Sequence, residues 1–339
     1  MNLLKKVFYQ TAAIIPSGVL KSISPITTLF PYQHTVSDSV LLHIKHLYPY
    51  KGTKQFTKDL DFILKDYRPI TANDIWNVIQ KGDTLPKNTF LLSFDDGFRE
   101  TEEIIAPILI AKGVPAVFFI NPAFVDNREL FYRCKISLVI ERLIEKKENT
   151  SLLNTGCEIL GLDKNTPFEN LIRRIKIITN LDAGLLDKLA PHLDISFEEY
   201  LYTEKPFLSM KQLESLVKMG FELGGHSWNH PYFHLLSIDE QIHQTSASID
   251  FINAHFTQKI KLFSFPHSDS GISNSYFQHT DSVDMFFGTQ NQKLESNHNV
   301  FHRFNTERPD LPLQQQIKGI LLLSFLQRLF AKNQVTRFD

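Results

Sequence analysis

The feature that most constrains the fold of this chain is a rhythm in its sequence. Short apolar runs, each closed by a polar cluster or a glycine, alternate with stretches of helical periodicity. Thr89–Phe94 lies between Pro86 and Asp95-Asp96-Gly97. After it, Thr101–Lys112 places Ile104, Ile105, Ile108 and Leu109 on one face, with Pro107 as an expected kink and Gly113 as the stop. Ala116–Ile120 follows and closes at Asn121-Pro122. Ser209 with Gln212, and Ser237 with Glu240, are capping boxes that open helices over Lys211–Met219 and from Ser237 to about Phe256. Phe221–Leu223, Lys261–Phe265, Met285–Phe287 and Val300–Phe304 complete the strand candidates. Buried strands alternating with helices predict an α/β fold: a parallel sheet covered on both faces or closed into a barrel.

Between Asp126 and Lys205 the rhythm changes. The segment is mostly helical, with helices expected over Ile136–Lys147, Phe168–Ile178 and Gly184–Ala190, and it reads as an insertion (126–205) between two barrel strands. Such βα-loop insertions can cover a barrel or shape its cleft. The expected organisation is a terminal segment over 1–30, a barrel over 31–310 that contains the insertion, and a C-terminal helix within 311–339. Lys5 and Lys6 before the apolar Val7–Leu20 faintly resemble a signal peptide. Gln10, Thr11, Pro16 and Ser17 interrupt that stretch, however, and a packed or interfacial segment suits it better. Peripheral membrane contact through the termini is one expectation, with a cytoplasmic or membrane-peripheral location; export and oligomeric state are left open.

Composition narrows the chemistry. A length of 339 residues allows two domains or one large barrel. A net charge of −1 gives no basic excess for the phosphate backbone of nucleic acid, so no nucleic-acid partner is expected. Cys134 and Cys157 are the only cysteines, which excludes a disulfide framework and a thiolate zinc cluster. Any metal must therefore be held by His and carboxylate.

Two motifs offer that set. Asp95 and Asp96 end a strand, where adjacent carboxylates on extended backbone point apart: one can bind a cation while the other takes a proton. Gly224-Gly225-His226-Ser227-Trp228-Asn229-His230 places two histidines four apart, on one face if the segment is a helical turn. Chance alone supplies roughly half of one such pair in a chain with thirteen His, and His230/His234 and His298/His302 are two more. His226 is preferred because it directly follows a strand. Asp95-Asp96, Asn121, His226, Pro266-His267-Ser268-Asp269 and Gly288-Thr289-Gln290-Asn291 all follow strand ends, the rim on which barrel active sites assemble.

Ser-Phe-Asp-Asp-Gly (93–97) followed by His-Ser-x-x-His (226–230) resembles the first two signature motifs of the polysaccharide deacetylase family, the NodB-homology or carbohydrate esterase 4 group. Lys261–Ser268 is similar to a third motif in one branch of it, and Tyr32-Gln33-His34-Thr35-Val36 to a Tyr- and His-containing segment upstream. The resemblance implies a distorted (β/α)7 barrel and a divalent metal, commonly zinc, held by Asp96, His226 and His230, with Asp95 as general base. It also implies an N-acetylated carbohydrate substrate. The family's third-motif Arg is missing from Ser264-Phe265-Pro266-His267, and Arg303 is the candidate to replace it. Val300-Phe301-His302 loosely matches the late Leu-x-His motif, which makes His302 the candidate general acid. Trp228, Tyr232 and Phe233 could stack on sugar rings or merely pack. The implied function is hydrolytic removal of an N-acetyl group from an amino sugar in a polysaccharide or glycan precursor. The alternatives are a related metal hydrolase of another amide, favoured by a compact closed pocket, and a non-catalytic glycan-binding or biosynthetic accessory protein.

Overall fold

The computed structural model describes residues 3–280 and 282–338, with side chains described from residue 7. Its strands are β1 (Thr28–Leu29), β2 (Pro31–Gln33), β3 (Arg68–Pro69), β4 (Thr89–Phe90), β5 (Leu92–Phe94) and β6 (Ala116–Ile120). They continue with β7 (Glu222–Gly225), β8 (Leu262–Ser264), β9 (Met285–Gly288), β10 (Val300–His302) and β11 (Phe304–Asn305). The main sheet runs β10-β9-β8-β7-β6-β5-β2-β11, with every pair parallel. Its two outermost strands are halves of one stretch of chain, broken only at Arg303. The first half pairs with β9 and the second with β2, so a single stave closes the ring. The amide of Arg303 bonds to Gly288 and that of Phe304 to Phe30, one on each side of the seam. Counted by staves, the barrel has the expected seven. The stretches that carry β2 and β5 begin with β1 and β4, and β4 pairs with β1 on one side and β3 on the other in a small second sheet.

Strand alternation sorts the phenylalanines. In β6, Val117 and Phe119 join a cluster with Phe30, Met285 and Phe287, while Ala116, Phe118 and Ile120 face the helical jacket. The Phe287 ring lies between those of Phe119, at 5.3 Å, and Phe30, at 6.4 Å. They form an aromatic plug of the kind that fills small barrels with side chains. Gly224 permits this packing, since a Cβ there would sit 2.6 Å from the Phe119 ring and 2.8 Å from the Leu262 carbonyl.

Local signals hold where they are chemically explicit. Both capping boxes form, opening helices at Met210–Lys218 and Ile238–His255. The kink expected at Pro107 appears as a wide turn over Thr101–Ile105 that passes into the helix Ala106–Lys112, and Gly113 ends that helix at φ 63°. Proline lacks the N–H that regular helix geometry needs, so the hydrogen-bond ladder is re-spaced before it.

The insertion is a helical lobe with its own core, built from residues such as Ile136, Val139, Leu143, Leu171, Ile175 and Leu189. It contains two helices beyond those expected, Thr150–Ile159 and Phe197–Glu204. The lobe is fastened to the barrel where it leaves and rejoins it. Phe98 bridges Phe207, Arg99 N–H donates to Pro206, and Leu208 N–H donates to Gly97. At the opposite flank, the terminal helices Leu3–Ile14 and Leu313–Leu329 pack together, with Gly319 admitting the Tyr9 ring. No described helix is long and apolar enough to cross a membrane.

Candidate active site

The site lies on the rim beyond the carboxyl ends of the strands, where each βα-loop leaves the barrel. Asp95 and Asp96 follow β5. The amide of Asp95 still bonds to Gln33 on the neighbouring stave, but Asp96 turns into the left-handed region at φ 71°, followed by Gly97 at φ 66°. The two carboxylates therefore diverge through a sharp turn and not through extended backbone. The histidine pair corrects the sequence expectation in a similar way. Residues 226–230 form no helical turn: His226 continues β7, with its amide bonded to Ile120, and the chain then loops through Ser227 (φ 65°) to His230 (φ 61°). Asn121 at the end of β6 braces this loop by donating to the carbonyls of His226 and Ser227. Three non-glycine residues held at positive φ in one small region constitute strain of the sort that concentrates at functional sites.

The loops bring Asp96, His226 and His230 to one point. Asp96 Oδ1 lies 3.5 Å from His226 Nε2 and 3.1 Å from His230 Nε2, all three residues being buried. The His226 Nδ1 lies 2.8 Å from the carbonyl of Ser264, which can only accept, so Nδ1 carries the proton and Nε2 is left as a lone pair. Asp96 Oδ1 is a buried oxygen without a hydrogen-bond partner. Converging lone pairs around an orphaned carboxylate oxygen need a cation, and one carboxylate with two imidazoles is a donor set suited to zinc. Burial pushes the Asp96 carboxyl up, but the charges of His230 and His34 and the neighbouring imidazole contacts outweigh it and hold it well below the usual range. Burial pushes the His230 imidazole down, which favours the neutral form that a ligand requires.

Asp95 faces a different partner. Arg303 grips it with two parallel bonds, Nη1 to Oδ1 at 2.7 Å and Nη2 to Oδ2 at 2.8 Å. The guanidinium also donates to Ser93 Oγ and Ser264 Oγ and lies over the Tyr32 ring at 4.4 Å and the Phe119 ring at 5.2 Å. Burial raises the Asp95 carboxyl, but the Arg303 charge, with that of His226, more than offsets this and keeps it ionised. Arg303 thus reaches across the barrel from the closing stave to Ser264, the stretch where the third-motif Arg is missing.

His302 is not part of this constellation. Neighbouring residues of a strand point to opposite faces, so with Arg303 turned inward His302 must turn outward. It is buried with Nδ1 3.6 Å from Asp269 and Nε2 3.4 Å from Glu295, in a cluster clamped by Arg337 from the C-terminal segment. Contrary to the expectation that it serves as general acid, His302 lines no part of the cavity onto which Asp95 and Asp96 open. Of the aromatic candidates, Phe233 belongs to the outer core, Trp228 is partly exposed, and Tyr232 stacks on His267 at 3.7 Å.

A cavity of about 180 Å³ opens onto Asp95, Asp96, His226 and His230. Its remaining walls include His34, Tyr48, Phe131, Arg133 and His267. The sequence had not singled out Arg133, Tyr48 or Glu307, which lie on no motif. His34 belongs to the Tyr- and His-containing segment, Tyr32–Val36, that the sequence resemblance marks. The His267 Nε2 lies 3.0 Å from Tyr132 Oη and 3.2 Å from His230 Nδ1, bracing that imidazole.

A sequence model of the polysaccharide deacetylase family matches residues 187–285, which include His226, His230 and the Ser264–His267 stretch. The chain resembles the polysaccharide deacetylases. Solved structures of similar fold include the Streptococcus pyogenes deacetylase PplD in complex with acetate (12% identity, 88% of this chain and 99% of that one, TM-score 0.55). IcaB from Ammonifex degensii is another (13% identity, 88% and 98%, TM-score 0.55). A de-N-acetylase from Aggregatibacter actinomycetemcomitans is a third (14% identity, 87% and 100%, TM-score 0.51). At these identities the structural likeness is one of fold, and it confirms the expected NodB-type barrel. No curated protein matches the chain. Similarity to polysaccharide deacetylases in motif and fold carries with it the class of hydrolases acting on carbon–nitrogen bonds.

Proposed function

We propose that this protein is a metal-dependent deacetylase that removes an N-acetyl group from an amino sugar in a polysaccharide or glycan precursor. The observation that carries the reading is the division of labour between adjacent carboxylates: Asp96 joins two imidazoles, while Asp95 is turned away and gripped by Arg303. Asp96, His226 and His230 would hold a divalent ion, with zinc suited to the donor set. When bound, such an ion polarises an amide carbonyl and acidifies water. Asp95, 4.0 Å from His226 Nε2 and held ionised, is placed to take the proton from the attacking water. Arg303 fixes the orientation of that carboxylate with its paired bonds, and the Tyr32 and Phe119 rings keep the guanidinium in place.

The confined cavity supports a second reading, hydrolysis of another small amide. Phe131 and Arg133 of the lobe, with Leu47 and Tyr48, narrow it to a volume at the small end for ligand pockets. A long polymer would enter such a cavity only by one end or one residue. The reading also extends to peripheral membrane contact through the termini, supported by exposed Val7, Ile14 and Leu329 on the paired terminal helices and Phe330 at their end. The test is elemental analysis of the purified protein together with acetate release from a panel of N-acetylated mono- and oligosaccharides. Stoichiometric metal and acetate release abolished by Asp95→Asn are expected. Full metal-dependent release by that variant would refute the role of Asp95, and release only from a small non-sugar amide would favour the second reading.

A further inference from the structure

The basic side chains around the catalytic cavity are matched to carboxylates, with one exception. Arg303 is committed to Asp95, and His34 faces Glu307 at 2.8 Å. Arg133 lines the same cavity and makes no ion pair among the described residues. We propose that Arg133 binds an anionic group, a carboxylate or a phosphate, carried by the N-acetylated sugar. The protein then selects a charged amino sugar over a neutral one; the inference rests on the deacetylase reading above. Arg133 lies in the first turn of the lobe helix Tyr132–Glu145 and is half-buried. Its guanidinium is oriented from the barrel side. Nη1 donates to Tyr232 Oη at 3.1 Å, and the Tyr232 ring stacks on His267 at 3.7 Å. His267 Nε2 lies 3.2 Å from His230 Nδ1, and the Phe131 ring lies 4.5 Å from that of His230. Short contacts thus tie Arg133 to one of the three residues that would hold the ion.

Nothing in the folding of the lobe asks for a cation at this position. A helix begins with a partial positive charge, so its dipole opposes a basic side chain in the first turn and favours a carboxylate there. This helix has no acidic residue in its first turn, and its N-cap, Phe131, offers no side-chain acceptor. Further along the same helix the cations are paired, Lys135 with Asp187 and Arg142 with Glu145. A break with local rules at the wall of an active site points to a role in binding. Guanidinium presents its N–H donors as a planar fork that meets carboxylate or phosphate with two parallel bonds. One bond to Tyr232 sets the plane, and the remaining donors are left for a ligand. A charged ligand also suits the electrostatics. Asp95 and Asp96 are both held ionised in this cavity, so an anionic sugar is admitted only where a cation receives it. A neutral hydroxyl, by contrast, repays little of the desolvation of a guanidinium. Arg133 lies outside residues 187–285, the stretch that matches the family's sequence model, so the preference belongs to this lobe and not to the matched motifs.

Matched pairs of substrates test this. Acetate release by the wild-type protein and by Arg133→Met would be followed on N-acetylmuramic acid against its uncharged carboxamide, and on N-acetylglucosamine 1-phosphate against methyl N-acetylglucosaminide. The first pair reports a carboxylate on the sugar and the second a glycosyl phosphate. In the wild type, kcat/KM should be about 10- to 100-fold higher for the anionic member of one pair, mainly through KM, and that advantage should shrink with added salt. In Arg133→Met the two members of the pair should come within about 3-fold of each other, with metal content unchanged. Arg133→Lys keeps the charge without the fork and should retain a preference of about 3- to 10-fold; it gives the same reading if Arg133→Met does not fold. Equal turnover within both pairs, turnover of the neutral sugars alone, or a preference that survives Arg133→Met overturns the inference and leaves the deacetylase reading standing. Acetate release from none of the four sugars and none from tri-N-acetylchitotriose refutes the deacetylase reading itself, and this inference with it.

Discussion

Replacing Arg303 with methionine removes the charge that keeps Asp95 ionised while preserving much of the apolar stem. Arg303 is 1% exposed and Asp95 is 2% exposed, so the variant leaves a carboxylate buried without a cation. Breaking a buried ion pair from one side costs about 3–5 kcal/mol. With an unfolding entropy of roughly 2 cal/mol/K per residue, a chain of this size should lose about 4–7 °C in Tm. The sign of the pH dependence follows from the direction of the shift. In the wild type the folded Asp95 is depressed, so its contribution is present above the unfolded value of about 3.9 and is lost as pH falls through the folded value. In Arg303→Met the largest lowering influence is removed and burial is opposed only by the His226 and His34 charges, so the folded value rises and the variant loses stability as pH rises from about 4 towards neutrality. The gap between the two proteins should therefore be widest near pH 7 and narrow towards pH 4. Thermal melts at both pH values, with Asp95→Asn and the double variant completing the cycle, measure the coupling. A recovery of about 2 kcal/mol in the double variant is expected. A gap independent of pH, together with strictly additive losses, would show that the Arg303–Asp95 pair does not hold the site together. Acetate release by Arg303→Met should fall by about 100-fold or more, since its base is protonated and unoriented.

Bound metal should be lost from Asp96→Asn and His230→Ala, and from the wild type as pH falls from about 6 to 4, because protonated imidazole cannot ligate; content unchanged at pH 4 would count against a two-histidine site. Arg337→Ala should cost about 3 kcal/mol in denaturant unfolding by stranding Asp269 and Glu295, while acetate release holds within a few-fold; a selective loss of activity would return the His302 cluster to the reaction. Gly224→Ala should destabilise the barrel by about 1–3 kcal/mol, because its methyl meets backbone at Leu262 and the Phe119 ring; an unchanged melt would show that β7 has room to shift.

Much of the fold was legible in the order of residues because its signals are local. Alternating apolar runs, capping boxes and a left-handed glycine act over a turn or a strand, and Ala116–Ile120 and the helix after Ser237 stand where those signals put them. The candidate metal set was legible because Asp96 and His226 stand just past strand ends and His230 follows His226 by four residues. Other features depended on distance. The closing stave divides at Arg303 between two partners far apart in sequence, and only that division shows which of two adjacent residues faces inward. The consecutive residues His302 and Arg303 both carry suitable chemistry, so composition cannot choose between them, whereas the pleat allows one inside and sends the other out.

The sequence by itself determined a parallel barrel with a helical insertion, a site confined to Asp and His donors, and the pair of motifs that supply them. Tertiary structure alone decided that Arg303 serves Asp95, that His302 is bound into a separate ion cluster, and that the lobe narrows the cavity. It also placed His34 against Glu307. These are contacts between residues brought together only when the barrel closes, and no local periodicity encodes them.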